Sequence, residues 1–476
     1  MKLKNCNYIL LLSLVLVVVS CKAPAIEPTK SNQAIPESFL SSKDTTTIAN
    51  TPWKNFYQDK NLADLIDAAL KNNQEMMITL QEIEIAKNDI RVRKGALLPM
   101  VGVKAGAGVE KVGRYTSQGA GDASTEIMPG KEFPEPLQDY TLAAYAHWEV
   151  DIWKKLRNSK KAAISRYLAT IEGKNFVITN LVAEVAASYY ELLSLDNQLE
   201  IVRQNINLQT NALEIVKVQK EAARATELAV QKFQAEVYSS KSMEFEILQR
   251  IKETENKINF LLGRFPQEIT RDKTNFLSLM PNNVTYGIPA QLLANRPDIK
   301  QAELELAAAK LDVKVARSEF YPSLDISASY GLQAFKPSYL FKLPESLLYS
   351  LVGDLAAPLI NRNAIKAEYK NANARQLQAL YNYERTVLNA YLEVATQLSK
   401  ISNLENSYSL KSKQVDALNK AIDVSNDLFK SARVDYFEVL MTQRDALDSK
   451  LELIETKKEQ LNASVQVYRN LGGGWK

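Results

Sequence analysis

The sequence predicts an α+β membrane protein made of two copies of one helix–strand–strand–helix half, with the short strands in a barrel and the long helices in a coiled-coil extension. Three observations predict it. A gapless self-match runs at an offset of 223 residues. The period of the apolar residues changes from helical to two directly after a repeated proline. Two long stretches free of Pro and Gly carry coiled-coil seams.

The duplication comes first because it organises the rest. Residues 70–108 align without a gap to 293–331, with identical pairs that include Asn72/Asn295, Glu82/Glu305, Ala86/Ala309, Asp89/Asp312, Val92/Val315, Pro99/Pro322 and Gly108/Gly331. Two unrelated amphipathic helices match by chance in their apolar stripe, but not in the proline and the strand that follows it. The expected organisation is a first repeat over 61–270 and a second over 291–471, joined by a connector at 271–290 and ended by a tail at 472–476.

After Pro99, residues Val101, Val103, Ala105, Ala107 and Val109 alternate with Gly, Lys and Glu. Leu142, Ala144, Ala146, Trp148 and Val150 form a second such face, Leu324, Ile326, Ala328, Tyr330 and Leu332 a third, and Leu347, Tyr349, Leu351, Leu355 and Leu359 a fourth. Strands are expected at about 100–112, 140–152, 323–334 and 346–359, with 113–138 and 333–345 as loops. Strands of about ten residues with one apolar and one polar face suit a membrane barrel, whose outside meets lipid and whose inside meets water; a half-buried soluble sheet gives the same alternation. Four strands cannot close even the smallest barrels of about eight, and an open sheet edge is not tolerated in hydrocarbon. The barrel must therefore be shared between protomers. His147, Glu149 and Asp151 on the polar side of the second strand, with Asp325 and Ser327 on the third, are the candidate pore-lining residues.

Leu181, Val185, Leu192, Leu195, Leu199, Val202, Ile206, Leu213 and Val216 repeat at spacings of mostly four and three, and Leu404, Tyr408, Val415, Leu418, Ile422 and Phe429 do so in the second half. Turns fit at 222–226 and 431–435, where Ala223-Arg224 and Ala432-Arg433 correspond at an offset of 209. A helix of ~55–65 residues is about 80–100 Å long, against about 30 Å for a bilayer core, and these helices are too polar for lipid, so they project into water.

At the N-terminus, Lys2 and Lys4 precede an apolar run over residues 8–19, then Ser20 and Cys21. Residues 1–20 read as a signal peptide, since the run is too short to span a bilayer. Val18-Val19-Ser20-Cys21 resembles the bacterial lipobox, which makes Cys21 the first mature residue and the carrier of a covalent lipid; the alternative is a plain signal peptide with an incidental cysteine. Each buried CH2 of such an anchor contributes roughly 0.8 kcal/mol. A lipid-anchored linker then covers 21–60, and Lys22 stands where an aspartate would hold many lipoproteins at the inner membrane, so the outer membrane is expected. Cys6 leaves with the signal and Cys21 is alkylated, so the mature chain offers no thiol for a disulfide or a metal. No cofactor other than the lipid is expected.

The charge balance of 59 basic to 55 acidic residues excludes a strongly basic surface, and with it nucleic acid as a partner. An enzyme is disfavoured, because the chain has one histidine, no Cys/His metal cluster and no phosphate-binding loop.

Trp148-Glu149-Val150-Asp151-Ile152-Trp153 with Lys155-Leu156 resembles a segment of the TolC-like outer-membrane factors, in the lipoprotein branch that serves RND efflux pumps. Gly287-Ile288-Pro289, Leu292-Leu293, Arg296-Pro297-Asp298-Ile299, Ala302-Glu303, Leu261-Leu262-Gly263 and the tail Gly472-Gly473-Gly474-Trp475 resemble further motifs of that branch, in the same order. The resemblance covers nearly the whole mature chain. It implies a homotrimer with a 12-stranded barrel continued by a periplasmic helical barrel, an equatorial region formed partly by 264–290 and the tail, and two protein partners, a periplasmic adaptor and an inner-membrane RND transporter. It also implies a location in the outer membrane of a Gram-negative bacterium.

By the same resemblance the hairpin ends dock the adaptor, which singles out Ala223, Arg224, Ala432 and Arg433, although the family often has glycine where this chain has the two alanines. Asp416, Asp423 and Asp427 are the gate candidates; threefold symmetry would gather them into rings of like charge, while composition alone also fits solvated coiled-coil positions. Arg296-Pro297-Asp298 reads as a helix start rather than a catalytic motif. The function implied is passive export of drugs or other small molecules, with a type I protein-secretion duct or a lipid-anchored coiled-coil scaffold as alternatives.

Overall fold

The computed structural model describes residues 36–39, 45–273, 276–279, 285–431 and 433–476. Cys21 and Ala432 lie outside them. The helices are α1 (Trp53–Phe56), α2 (Lys60–Asn72), α3 (Gln74–Gly95), α4 (Ser117–Ser124), α5 (Lys155–Glu221), α6 (Glu227–Leu261), α7 (Ala290–Asn295), α8 (Pro297–Ser318), α9 (Asn363–Lys430) and α10 (Tyr436–Asn470). The strands are β1 (Met100–Glu110), β2 (Glu126–Met128), β3 (Lys131–Glu132), β4 (Leu137–Val150), β5 (Ser323–Ala334) and β6 (Leu347–Ala356). The duplication is written into these bounds. α3 and α8 are both 22 residues long and start 223 positions apart, as do β1 and β5. At the offset of 209, α6 and α10 coincide end to end, each 35 residues long.

The chain forms two compact units. Residues 85–167 and 304–380 hold a four-stranded antiparallel sheet in the order β1-β4-β5-β6. Its register brings the four sequence faces together: Val101, Ala146, Ala328 and Leu351 form one row across the strands, and Val103, Ala144, Tyr330 and Tyr349 the next. Gly102, Tyr145, Ser329 and Ser350 lie between those rows on the opposite face. The apolar side is bare, with Val101, Val103, Tyr349 and Leu351 between 71 % and 78 % exposed. Among the described residues β1 and β6 are each paired on one side only. Below the sheet, Phe320 packs edge-on against Tyr369 at 5.6 Å in a small core with Ala316 and Ala372.

Two expectations are corrected in this unit. The 113–138 connection is not a plain loop: it holds α4, capped by the Thr116 hydroxyl on the Gly119 N–H at 3.1 Å, and the β2–β3 hairpin. The fourth strand ends at Ala356 rather than 359, just before Pro358, which has no N–H to donate.

The second unit covers 36–39, 45–84, 168–303 and 381–476 among the described residues and is chiefly two helical hairpins. Its main core joins Tyr189, Leu192 and Leu195 of α5, Ile258 of α6, Ile454 and Tyr468 of α10, and Leu62 and Ile66 of α2. One stretch of α5 is apolar enough to cross a membrane by composition, but 56 % of it is buried within the protein, so its apolar character serves packing. Phe56 stacks on Tyr468 at 4.1 Å, and the Tyr468 hydroxyl donates to the Thr51 carbonyl at 2.5 Å, which fixes the N-terminal segment to the last helix.

Two buried arginines lock the connecting segments. Arg271, 3 % exposed at its side chain, grips Asp196 of α5 through Nε at 2.5 Å and Nη2 at 3.0 Å, and Glu255 of α6 through Nη1 at 2.8 Å. Arg296 forms a fork onto Asp298 at 3.0 and 2.7 Å and reaches Glu393 of α9 at 2.8 Å and the Asn470 carbonyl at 3.0 Å. Burial disfavours both cations, and the carboxylates more than offset it, so each guanidinium binds its proton more tightly than an ordinary arginine. Arg296-Pro297-Asp298 is thus a structural knot at the start of α8.

Candidate functional site

Three surfaces carry the residues singled out by the sequence. On the polar face of the sheet, His147 stands opposite Ser327, with Nδ1 3.4 Å from its Oγ, and His147 Nε2 lies 3.7 Å from Asp325. Glu149 stands opposite Asp325, which in turn faces Asp354 on β6. Lys155 pairs with Glu149 at 2.5 Å and Glu319 at 3.5 Å at the foot of the strand. His147, Glu149, Asp325 and Ser327 therefore share one half-exposed polar patch. Asp151 does not join them: past the end of β4, its carboxylate accepts from the backbone N–H groups of Leu156 and Arg157 at 2.9 and 3.0 Å, capping the start of α5. Among the described residues no group of three or more His, Cys, Asp or Glu side chains is placed to hold a metal ion.

The second surface is the pair of hairpin ends. α5 closes with the Arg224 N–H bonded to the Gln219 carbonyl at 2.8 Å and the Ala223 N–H to that of Lys220 at 2.9 Å; at the other end the Arg433 N–H bonds the Leu428 carbonyl at 2.9 Å. At the end of α5 the bonds form the Schellman arrangement, which needs a left-handed residue after the helix. Ala223 supplies it at φ 55°. A left-handed alanine costs about 1–2 kcal/mol, because its Cβ crowds the following carbonyl. Ala223→Gly is therefore expected to stabilise the tip by about 1 kcal/mol, seen as slower amide exchange over 219–226. Faster exchange would contradict the strain. Thr226 caps the returning helix by accepting from the Ala229 N–H at 3.3 Å, and Val216, Val230, Phe233 and Leu440 form a core beneath this end.

The third surface is one face of α9. Asp416, Asp423 and Asp427 lie seven and four residues apart, which places them on one side of the helix, and all three are exposed. Asp427 meets Lys430 at 3.5 Å, an ion pair 70–80 % exposed and so energetically slight. Among the described residues Asp416 and Asp423 have no ion pair. Val424, 57 % exposed, sits beside them.

Comparison with known proteins agrees with this architecture. The outer membrane efflux protein family matches residues 65–264 and 288–473, one match per repeat. The pyoverdine export outer membrane protein OpmQ of Pseudomonas aeruginosa is 27 % identical over 479 aligned residues, covering 100 % of this chain and 98 % of OpmQ. The probable outer membrane lipoprotein SilC of Salmonella typhimurium is 25 % identical, over 98 % of both chains. The crystal structure of CusC, described in terms of folding and transmembrane channel formation, superposes with a TM-score of 0.82 at 22 % identity, over 95 % of this chain and 100 % of CusC.

Proposed function

The chain belongs to the outer membrane efflux protein family, and on that premise we propose that it is one third of a homotrimeric duct that carries drugs or other small molecules outward from a periplasmic adaptor and an inner-membrane RND transporter. It is an outer-membrane channel protein of an efflux system. One observation carries the reading: four strands in register, apolar on one bare face, with both edges of the sheet unpaired. β1 and β6 run antiparallel to each other, so β6 of one copy can bond β1 of the next. Three copies give 12 strands, inside the range of known membrane barrels, and leave no edge in hydrocarbon.

Within that assembly, the polar patch of His147, Glu149, Asp325 and Ser327 lines the lumen. The tips at Ala223-Arg224 and Ala432-Arg433 dock the adaptor, and Asp416, Asp423 and Asp427 form acidic rings that favour cations at the periplasmic entrance. The protein conducts and does not catalyse. Cys21 carries the lipid that holds the mature N-terminus in the outer membrane.

Purified in detergent, the protein is expected to have the mass of three chains and to give discrete conductance steps in a planar bilayer. A water-soluble monomer, or a silent trimer whose entrance aspartates have been replaced by asparagine, overturns the duct. Cys21→Ser is expected to abolish incorporation of labelled palmitate and to leave the precursor uncleaved; undiminished labelling refutes the anchor.

A further inference from the structure

The two repeats treat equivalent surfaces unequally. α5 and α9 align at the 209 offset, where Asn180/Asn389, Glu184/Glu393 and Val185/Val394 are identical pairs. In α5 the face bearing Phe176, Thr179 and Asn180 is packed against the second repeat. Thr179 is 2 % exposed, Arg469 Nε donates to Asn180 Oδ1 at 2.7 Å, and the space left between Phe176, Thr179, Asp298 and Gly472 is only about 10 Å³. The same face of α9, Tyr381, Arg385, Leu388, Asn389 and Leu392, is bare, with Tyr381 58 %, Leu388 46 % and Leu392 50 % exposed. A row of large apolar side chains facing water along one helix marks an interaction surface.

The surface that would receive it is open too. A groove of about 740 Å³ in the first repeat is bounded by Asn73, Glu75, Glu184, Phe260, Gly263 and Phe265. Their counterparts in the second repeat are Arg296, Asp298, Glu393, Arg469, Gly472 and Gly474. The backbone frame is shared. Asn73 Nδ2 donates to the Leu261 carbonyl at 3.0 Å as Arg296 Nη1 does to that of Asn470. Gly263 at φ 65° and Gly472 at φ 90° each lie where a Cβ would strike a carbonyl oxygen, of Asn72 at 2.2 Å or Asn295 at 2.5 Å.

What differs is the cation. The guanidinium that neutralises Asp298 and Glu393 has become the amide of Asn73, while Glu75 and Glu184 keep their carboxylates. Lys257 and Arg264 also line the groove, but Lys257 is paired with Glu184 at 3.2 Å and Arg264 donates to Asn259 Oδ1 at 2.7 Å, and among the described residues Glu75 has no ion pair. Phe260 and Phe265 are 74 % and 91 % exposed beside it. On α9, Arg385 is exposed and has no acidic partner among the described residues.

We propose that this groove is the socket for the α9 face of a neighbouring copy, with the neighbour's Arg385 supplying the cation that Glu75 lacks. The proposal rests on the trimer reading above. Arg385 corresponds to Phe176 and Glu75 to Asp298, two residues that border one cavity within the chain. The same packing carried to the next copy sets Arg385 beside Glu75 and against the phenylalanine rings, in a charge-assisted and cation–π contact. The joint between repeats inside one chain is the template for the joint between chains, and repeating the two alternately closes a ring.

Two measurements on the full-length lipoprotein test this. Asn389→Cys with Phe260→Cys, treated with a short bismaleimide, should convert the trimer to covalent dimers and trimers, while either single variant gives none. Arg385→Glu should lose the trimer read by native mass, and Arg385→Glu with Glu75→Arg should recover it. A trimer by native mass that neither cross-links nor shows rescue overturns the socket and leaves the duct standing. Absence of any trimer in the wild-type protein overturns the duct itself.

Discussion

Arginine in place of Leu351 is expected to remove the trimer from the outer membrane. Leu351 is at the middle of β6, 78 % exposed, in the row that also holds Val101, Ala146 and Ala328. A guanidinium at the midplane of a barrel's lipid face costs about 2–4 kcal/mol, and a closed trimer carries it three times. The variant should be depleted from the outer-membrane fraction, with the mass of three chains lost in detergent. Ser350→Arg is the control one residue away. Ser350 lies on the opposite face, where its Oγ is 2.7 Å from that of Ser329, and losing this hydrogen bond costs about 1 kcal/mol. Equal assembly of the two variants would show that the Leu351 face does not meet lipid, and worse assembly of Ser350→Arg would show that the faces have been assigned the wrong way round.

Arg271→Ala is expected to destabilise the fold by about 3–5 kcal/mol, because it strands two carboxylates in a site water does not reach. The side chains of Asp196 and Glu255 are 4 % and 9 % exposed, and the Arg271 guanidinium is the buried cation they share. Lys273 stands 3.9 Å from Asp196 and Lys252 3.3 Å from Glu255, but they are 58 % and 61 % exposed and screened by solvent. Arg271→Lys should fall between the two, since an ammonium cannot bind both oxygens of Asp196 and reach Glu255 as a planar fork does. Melting followed by circular dichroism in detergent, with amide exchange over 264–273, measures the loss. An unchanged melting temperature for the alanine variant would mean that the cluster contributes specificity and no stability.

The duplication was legible in the sequence because identities at one offset survive in a helix, a proline and a strand together, and the bounds of α3 and α8 follow the same offset. The two-faced strands were legible because a period of two leaves a side chain no choice of face. What escaped is local chemistry between distant residues. Arg271 meets Asp196 across 75 positions and Glu255 across 16, and no periodicity marks such a meeting. Asp151 carried a strand-like signal, since it continues the alternation of β4; only the turn after Val150 shows its carboxylate to be held by the next helix. α4 was hidden by its composition, because Gly119 and Gly121 weaken helix propensity in the segment that Thr116 caps. The socket in the first repeat shows only when two structures of the same ancestral unit are set side by side within one chain.

The unpaired borders of the sheet also bear on biogenesis. A lone polypeptide has no stable way to enter lipid, because every second residue of the eleven in β1 and the ten in β6 would bring an unsatisfied amide and carbonyl into hydrocarbon. Insertion and oligomerisation are thus one event, whose yield varies with protomer concentration more steeply than in direct proportion. Halving expression should cut the assembled fraction by more than half, and a co-expressed chain with a damaged border should poison its intact siblings.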